Sequence, residues 1–230
     1  MDNRYYFKEK NDNIVIFSSS EAQHLARVRR AKIGDEIVGF NGDGIDYNLK
    51  IIEITKDKVK AEILSSTKNK AYEDTGVTVY LSFLKNDALT TLIDHLAELN
   101  VKTVKLFKSD FSVANLDEKK IEKLNQISIQ ASKQCERADI MKNELIAKSQ
   151  IEKDLEGKLC FFAYENADEK ITSFSGDFAV IIGPEGGFSP DEVQLFSKFC
   201  KTISLGKTIL RAEVAGVVAV SSLKAVQHES

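Results

Sequence analysis

The chain has only two prolines, Pro184 and Pro190, and both fall within residues 181–190. The run Ala179-Val180-Ile181-Ile182 is short and apolar, the kind of segment a parallel sheet buries on both faces. Gly183-Pro184-Glu185-Gly186-Gly187 breaks it, with glycines free to take backbone angles that a side chain discourages. Ser189-Pro190-Asp191-Glu192 is a capping box with proline at the first helical position and two acids in the first turn. Strand, glycine turn and helix start thus follow one another directly. Such a turn leaves backbone amides facing the space above the strand's carboxyl end, where open α/β sheets bind ligands. Alone, it is equally what a well-made strand–helix connection needs.

A second segment repeats the pattern. Thr202-Ile203-Ser204-Leu205 reads as a strand, Gly206 as its break and Lys207 to Arg211 as a loop. A helix follows through Leu223, rich in Ala, Val and Gly. Two glycine-marked strand ends so close in sequence imply neighbouring strands whose loops face one ligand. The small residues of that last helix permit close approach, either as core packing or as an interface.

The texture differs at the two ends of the chain. Short β-type segments fill the beginning, at residues 4–7, 14–17, 36–40, 47–54 and 59–64, with one helix at 20–27 that Ser19 or Ser20 can cap. Asn41-Gly42-Asp43-Gly44 is a turn signal between two of them. This reads as a small β-barrel over residues 1–70, with a polar linker at 65–74. From residue 75 onward strands alternate with helices: strands at 77–84, 103–107 and 159–164, helices at 87–99 and 117–134. Alternation of this kind indicates a parallel sheet covered on both faces, a second domain spanning 75–230.

Several chemistries are excluded. Gly206-Lys207-Thr208 sits where a phosphate loop would, but such a loop needs a glycine at position 201, which is Lys201. Gly42-x-Gly44 lacks the third glycine of a dinucleotide fingerprint, Tyr47 standing in its place. His24, His95 and His228 are scattered without a ligand cluster, so no metal is expected. No Gly-x-Ser-x-Gly elbow is present. Cys135, Cys160 and Cys200 show no CxxC spacing, which argues for a reducing compartment, the cytoplasm. No apolar run approaches the ~20 residues of a membrane span, and the polar start of the chain is not a signal peptide. The net charge of −3 does not by itself point to nucleic acid. Residues 1–70 hold 13 Lys+Arg against 11 Asp+Glu, leaving 19 against 24 for the rest, so only local clusters carry an RNA argument. The densest is Arg27, Arg29, Arg30 and Lys32 beside His24, equally readable as a solvated helix end.

Together, Ile182-Gly-Pro-Glu-Gly-Gly-Phe-Ser189 and Leu205-Gly-x-x-Ile-Leu-Arg-Ala-Glu213 closely resemble the SPOUT-type methyltransferases, and within them the family that methylates uridine N3 in 16S ribosomal RNA. His24, Val28, Arg30, Gly34 and Asp35 match a further family pattern near the amino terminus, and Gln134-Cys135-x-Arg137 resembles another. The resemblance implies a carboxyl-terminal parallel sheet with a deep trefoil knot, a PUA-like amino-terminal barrel that holds RNA, and a homodimer. It implies S-adenosylmethionine as cofactor, cradled by Gly183, Pro184, Glu185, Gly186 and Gly187 on one loop. Leu205, Gly206, Ile209, Leu210 and Arg211 form the other. Contacts to 16S ribosomal RNA, free or in the small subunit, fall on this reading to Arg4, His24, Arg27, Arg29, Arg30, Gln134 and Arg137. Arg211 is the expected electrostatic catalyst, stabilising charge on the uracil oxygens as N3 loses its proton, and Glu213 a candidate base. Solvent is the alternative proton acceptor, and an ion pair is the plainer reading of Arg211 and Glu213. A related enzyme acting on ribose or another base, or a non-catalytic RNA-binding protein on the same scaffold, remain alternatives. The chain departs from the family at Ala88 (lysine), Asn100 (glycine), Phe111 (arginine), Lys133 (glutamate) and Val214 (threonine).

Overall fold

The computed structural model describes residues 4–73, 76–167 and 172–228. Met1 to Asn3, Asp74 of the expected linker and the Ser19 side chain lie outside what is described. The chain divides into two compact units, Met1–Tyr72 with Ser132–Ile140, and Glu73–Ala131 with Met141–Ser230.

The first unit is a six-stranded sheet, built from β1 (Arg4–Tyr6), β2 (Glu9–Asn11), β3 (Ile14–Ser18), β4 (Glu36–Phe40), β5 (Ile45–Ile54) and β6 (Lys58–Lys68), in the order β1-β4-β5-β6-β3-β2. Alternation sets its inner face: Tyr47, Leu49 and Ile51 of β5 are buried while Asn48, Lys50 and Ile52 point out. They join Tyr5, Phe7, Val15, Phe17, Ile37, Val59 and Ala61 in one core. Because β5 pairs with β6 as far as Ile45 opposite Lys68, residues 65–68 are strand and not linker. The expected helix at 20–27 is two pieces, α1 (Ser19–Gln23) and a π-helical turn at His24–Val28. Ser132–Ile140 returns to this unit through backbone contacts. Ala138 O accepts from Gly44 N at 3.3 Å, and Glu136 O accepts from Asn69 Nδ2 at 2.9 Å.

The second unit contains β7 (Val77–Ser82), α2 (Asn86–Glu98), β8 (Thr103–Phe107), α3 (Glu118–Gln134, whose last residues belong to the first unit), β9 (Lys142–Leu145), α4 (Ile151–Asp154) and β10 (Leu159–Ala163). It continues with β11 (Phe174–Ser175), β12 (Phe178–Ile182), α5 (Pro190–Phe196), β13 (Lys201–Ile203), α6 (Ala212–Val226) and β14 (Gln227–His228). Six of the strands form one sheet in the order β13-β10-β12-β7-β8-β9, every pair parallel. Both faces are covered, as parallel strands require. Val77, Val79, Leu81, Val180 and Ile182 meet α2 and α6 on one side. Tyr80, Phe162, Ala179 and Ile181 meet Ile151, Leu155 and Phe196 on the other. The α2–α6 contact is close because Gly216 carries no side chain: a Cβ there would stand 2.8 Å from Leu92 Cδ1.

One sequence expectation is overturned. β12 and β13 are not neighbours, because β10 lies between them and pairs with both. Sequence proximity misled because α5 carries the chain past β10 to the sheet's edge.

Candidate active site

The strands of the second unit all run the same way, so the loops after β7, β10, β12 and β13 emerge from one edge of the sheet. The chain builds outward from β7 through β8 to β9, then crosses to β10 on the other side. A crevice opens where strand order reverses in this way. Here it is a cavity of about 830 Å³ lined by residues of all four loops. Every residue expected to hold the cofactor faces it: Gly183 to Gly187, then Leu205, Gly206, Ile209, Leu210 and Arg211. Glu213 lines it as well, half-buried in the first turn of α6.

The first loop is shaped from below. Gly187 has φ +73°, a left-handed conformation, and its amide donates to Pro184 O at 3.0 Å, closing the turn. The Phe188 ring folds back over Gly183, where a Cβ would lie 2.7 Å from Phe188 Cε2. The capping box forms as its sequence demands: Ser189 Oγ accepts from Glu192 N at 3.3 Å, and Glu192 Oε2 accepts from Ser189 N at 3.1 Å. Glu192 is 1% exposed, and its Oε1 also accepts from Asp110 N at 3.0 Å and from Lys148 Nζ at 2.9 Å. Lys148 reaches Asp110 Oδ1 at 2.5 Å, and Ser189 Oγ donates to Asp110 Oδ2 at 2.6 Å. A clamp of Lys148, Asp110, Ser189 and Glu192 therefore fixes the start of α5, and with it the turn above. The hydrogen bond from Lys148, then that from Ser189, holds the Asp110 carboxyl below its usual range. Burial alone would lower the Lys148 ammonium, but its bonds to Asp110 and Glu192 outweigh that and raise it.

The loop after β10 was not read from the sequence, and the one after β7 only as a strand-to-helix junction with no site assigned to it. Ala163 at the end of β10, and Tyr164 and Glu165 after it, line the cavity between the two glycine loops. Tyr164 stacks on Phe162 at 5.7 Å with an interplanar angle of 5°. Lys85, Asn86, Asp87 and Ala88 close the other side, and the Lys85 amide donates to Glu185 Oε1 at 3.0 Å. Neither segment carries a glycine signature, and the strand order is what brings both to the cavity. Around the cavity stand four carboxylates, Asp87, Glu165, Glu185 and Glu213, against two cations, Lys85 and Arg211. That balance favours a cationic ligand over a polyphosphate.

Arg211 caps α6 in an extended conformation with its side chain exposed; among the described residues no ion pair joins it to Glu213. The positive end of a fifteen-residue helix thus faces the cavity beside an exposed guanidinium.

In the first unit, Arg27, Arg29 and Arg30 are exposed on and after the π-helical turn, with Val28 71% and Ile33 68% exposed among them. Gln134 is exposed too. His24 is half-buried, its ring edge-on to Tyr5 at 5.9 Å. Two residues of the expected RNA set, Arg137 and Arg4, are engaged within the unit. Arg137 is 1% exposed, its guanidinium forked onto Asp139 at 3.2 and 2.7 Å, with no surface left for a phosphate. Arg4 pairs with Asp46 at 2.8 Å and donates to Arg137 O at 3.2 Å, leaving 13% of its side chain exposed. Both hold the unit together. The histidine reading also needs correction at His95, where the helix brings Asp94 and Glu98 alongside, all three ligand atoms within 4.8 Å. His95 Nδ1 lies 3.4 Å from Glu98 Oε2, the ordinary spacing of an exposed i,i+3 pair. No helix among the described residues is long and apolar enough to cross a membrane.

Residues 72–224 match the RNA methyltransferase domain family, and residues 17–64 match the RNA methyltransferase PUA domain. The ribosomal RNA small subunit methyltransferase E of Aquifex aeolicus is 30% identical, over 95% of this chain and 97% of its own. Its namesake from Rickettsia conorii is 27% identical, over 96% of this chain and 95% of its own. A methyltransferase from Legionella pneumophila, solved in complex with the bound cofactor SAM, is similar at a TM-score of 0.85 and 25% identity, covering 97% of each chain. A parallel α/β sheet with a PUA-like amino-terminal domain is what the sequence resemblance implied, and by fold and by sequence the chain belongs to the RNA methyltransferase family.

Proposed function

We propose that this chain is an S-adenosylmethionine-dependent enzyme that methylates N3 of a uridine in 16S ribosomal RNA, and that it works as a knotted homodimer. The observation that carries the reading is the single cavity of about 830 Å³ into which both glycine-marked loops open. Its volume lies within the ~300–1,000 Å³ of small-molecule sites. Its excess of carboxylates suits a donor bearing a sulfonium and an ammonium, and the Legionella relative binds that donor. The relatives' shared name supplies the small-subunit ribosomal RNA.

The cofactor supplies an activated methyl group on a cationic sulfur, so no metal is needed. The protein's part is placement and charge. Backbone groups of residues 183–187 and 205–206 hold the donor, with Leu205, Ile209 and Leu210 as apolar wall. Arg211 and the amino terminus of α6 face the acceptor base and stabilise charge spreading onto the uracil oxygens. Glu213, half-buried beside them, accepts the N3 proton. The exposed arginines 27, 29 and 30 contact the RNA backbone.

Calorimetric titration of the folded protein with S-adenosylmethionine tests the cofactor site, and absence of heat contradicts it. Comparison of 16S nucleosides from a deletion strain and its parent tests the target. Loss of 3-methyluridine is expected, whereas loss of a ribose-methylated nucleoside moves the assignment. Arg211→Ala should lower kcat about 100-fold while changing cofactor Kd by less than about threefold. Equal losses in both remove its electrostatic role.

A further inference from the structure

Cys160 and Cys200, 40 residues apart in sequence, meet across the sheet of the second unit. Phe161 of β10 pairs with Lys201 of β13, so Cys160 stands in register with Cys200, one step before β13 begins. Parallel neighbours place such Cα atoms about 4.8 Å apart, within the ~4.4–6.8 Å a disulfide accepts. In-register residues project to the same face, and both thiols enter the aromatic cluster of Tyr80, Phe107, Phe162 and Phe196. Their sulfurs are 2.7 Å apart, where a disulfide bond needs about 2.0 Å. No local pattern predicts this pairing, which depends on β10 lying beside β13.

We propose that Cys160 and Cys200 are a latent disulfide site, closed by exchange with a small-molecule disulfide of the glutathione class. β13 is an edge strand, and Cys200 at its start is the more exposed thiol, 9% against 2%. Cys200 loses its proton to solvent and attacks the glutathione disulfide, whose S–S bond breaks to release one glutathione thiolate. Cys160, deprotonated in turn, attacks the Cys200 sulfur of the mixed disulfide and expels the second glutathione. Two protein thiols are oxidised, one glutathione disulfide is reduced to two glutathiones, and the two protons end on these. Burial, then the hydrogen bond from Cys200, pushes the Cys160 thiol up, which leaves the first attack to Cys200.

Because both sulfurs are buried, the exchange waits on local opening of β13. Once formed, the bond closes a loop containing β12, the Gly183–Gly187 turn and α5, and ties β10 to the segment leading into Leu205. The site rests on the β10–β13 register and stands or falls independently of the methylation reading.

The test is incubation of the full chain with glutathione disulfide, in urea below the unfolding midpoint, followed by intact-mass and peptide analysis under non-reducing conditions. The expected product has lost two hydrogens, links the Cys160 and Cys200 peptides, and leaves Cys135 open to alkylation or glutathionylation. Its thermal midpoint should rise by on the order of 5–10 °C, reversed by dithiothreitol. Cys135→Ser should leave the cross-link unchanged and Cys200→Ser should abolish it. Stable glutathione adducts on both Cys160 and Cys200, a link through Cys135, or both thiols still alkylatable overturn the proposal.

Discussion

Lys148→Met isolates the clamp beneath the first glycine loop. The ammonium makes two contacts, to Glu192 Oε1 at 2.9 Å and Asp110 Oδ1 at 2.5 Å. The Glu192 side chain is 1% exposed, that of Lys148 29% and that of Asp110 45%. The Asp110 contact therefore adds little, as exposed pairs do. The Glu192 contact is a charged hydrogen bond to a buried carboxylate, for which about 1.5–3 kcal/mol is usual. Complete loss of a buried ion's partners costs about 3–5 kcal/mol. That limit is not reached, because the Ser189 and Asp110 amides still donate to Glu192. The expected cost is about 2 kcal/mol, a fall in Tm of about 4–8 °C at this chain length. Denaturant unfolding and calorimetry of the two proteins measure it. The pH dependence supplies a second check. Asp110 has a folded-state pKa below its unfolded value, so its contribution is present above pH ~4 and lost as pH falls through the lowered folded value. Lys148 has a raised pKa, so its contribution is present below pH ~10 and lost as pH rises beyond that. Lys148→Met should flatten both limbs. A destabilisation under ~0.5 kcal/mol, or unchanged limbs, refutes the clamp.

Three other outcomes follow from the geometry. Gly183→Ala places a methyl 2.7 Å from the Phe188 ring, so the turn must shift; S-adenosylmethionine Kd should rise at least ~10-fold by calorimetry, with the fold retained by circular dichroism. Arg137→Leu removes the guanidinium that Asp139 faces in a 1% exposed site; about 3 kcal/mol of stability should be lost in denaturant unfolding. Phe111 is 50% exposed, with its Cβ 3.3 Å from where a Gly186 Cβ would stand; Phe111→Arg should tighten binding of a 16S fragment several-fold and steepen its salt dependence by about one unit, read by fluorescence anisotropy across a salt series.

What the sequence made legible was periodicity and punctuation. Tyr47, Leu49 and Ile51 alternate with polar residues and become the inner face of β5. Ser189 to Glu192 encodes a helix start by short-range hydrogen bonds alone, and that start forms. Missed elements lacked such local signals. β2 is Glu9-Lys10-Asn11, fully exposed, and exists because backbone groups pair with β3. β9 is Lys142-Asn143-Glu144-Leu145, with only Asn143 buried, and exists because β8 offers a parallel edge. The return of Ser132–Ile140 to the first unit is made by its backbone carbonyls, Glu136 O accepting from Asn69, Arg137 O from Arg4 and Ala138 O from Gly44, which no side-chain pattern in the sequence announces. The cavity was half legible for the same reason. Its two glycine loops announce themselves, whereas Glu165 is part of it only because β10 runs between β12 and β13.

Four of the five departures from the resembled family sort by whether the fold answers them. Asn100 stands where glycine is expected, with φ +60°, and asparagine is among the side chains that best tolerate that region. Lys133 stands where glutamate is expected and meets Glu21 at 2.8 Å, so the new charge has an opposite within reach. Nothing equivalent answers Phe111 or Val214, which are 50% and 43% exposed. A buried mismatch must be compensated or the protein loses stability, whereas an exposed apolar residue costs the fold little. Compensation inside and none outside is the pattern of a scaffold held fixed while its outer surface changes. Phe111 stands beside Gly186 of the first glycine loop, so on the proposed function this exposed departure bears on RNA contact and not on the fold.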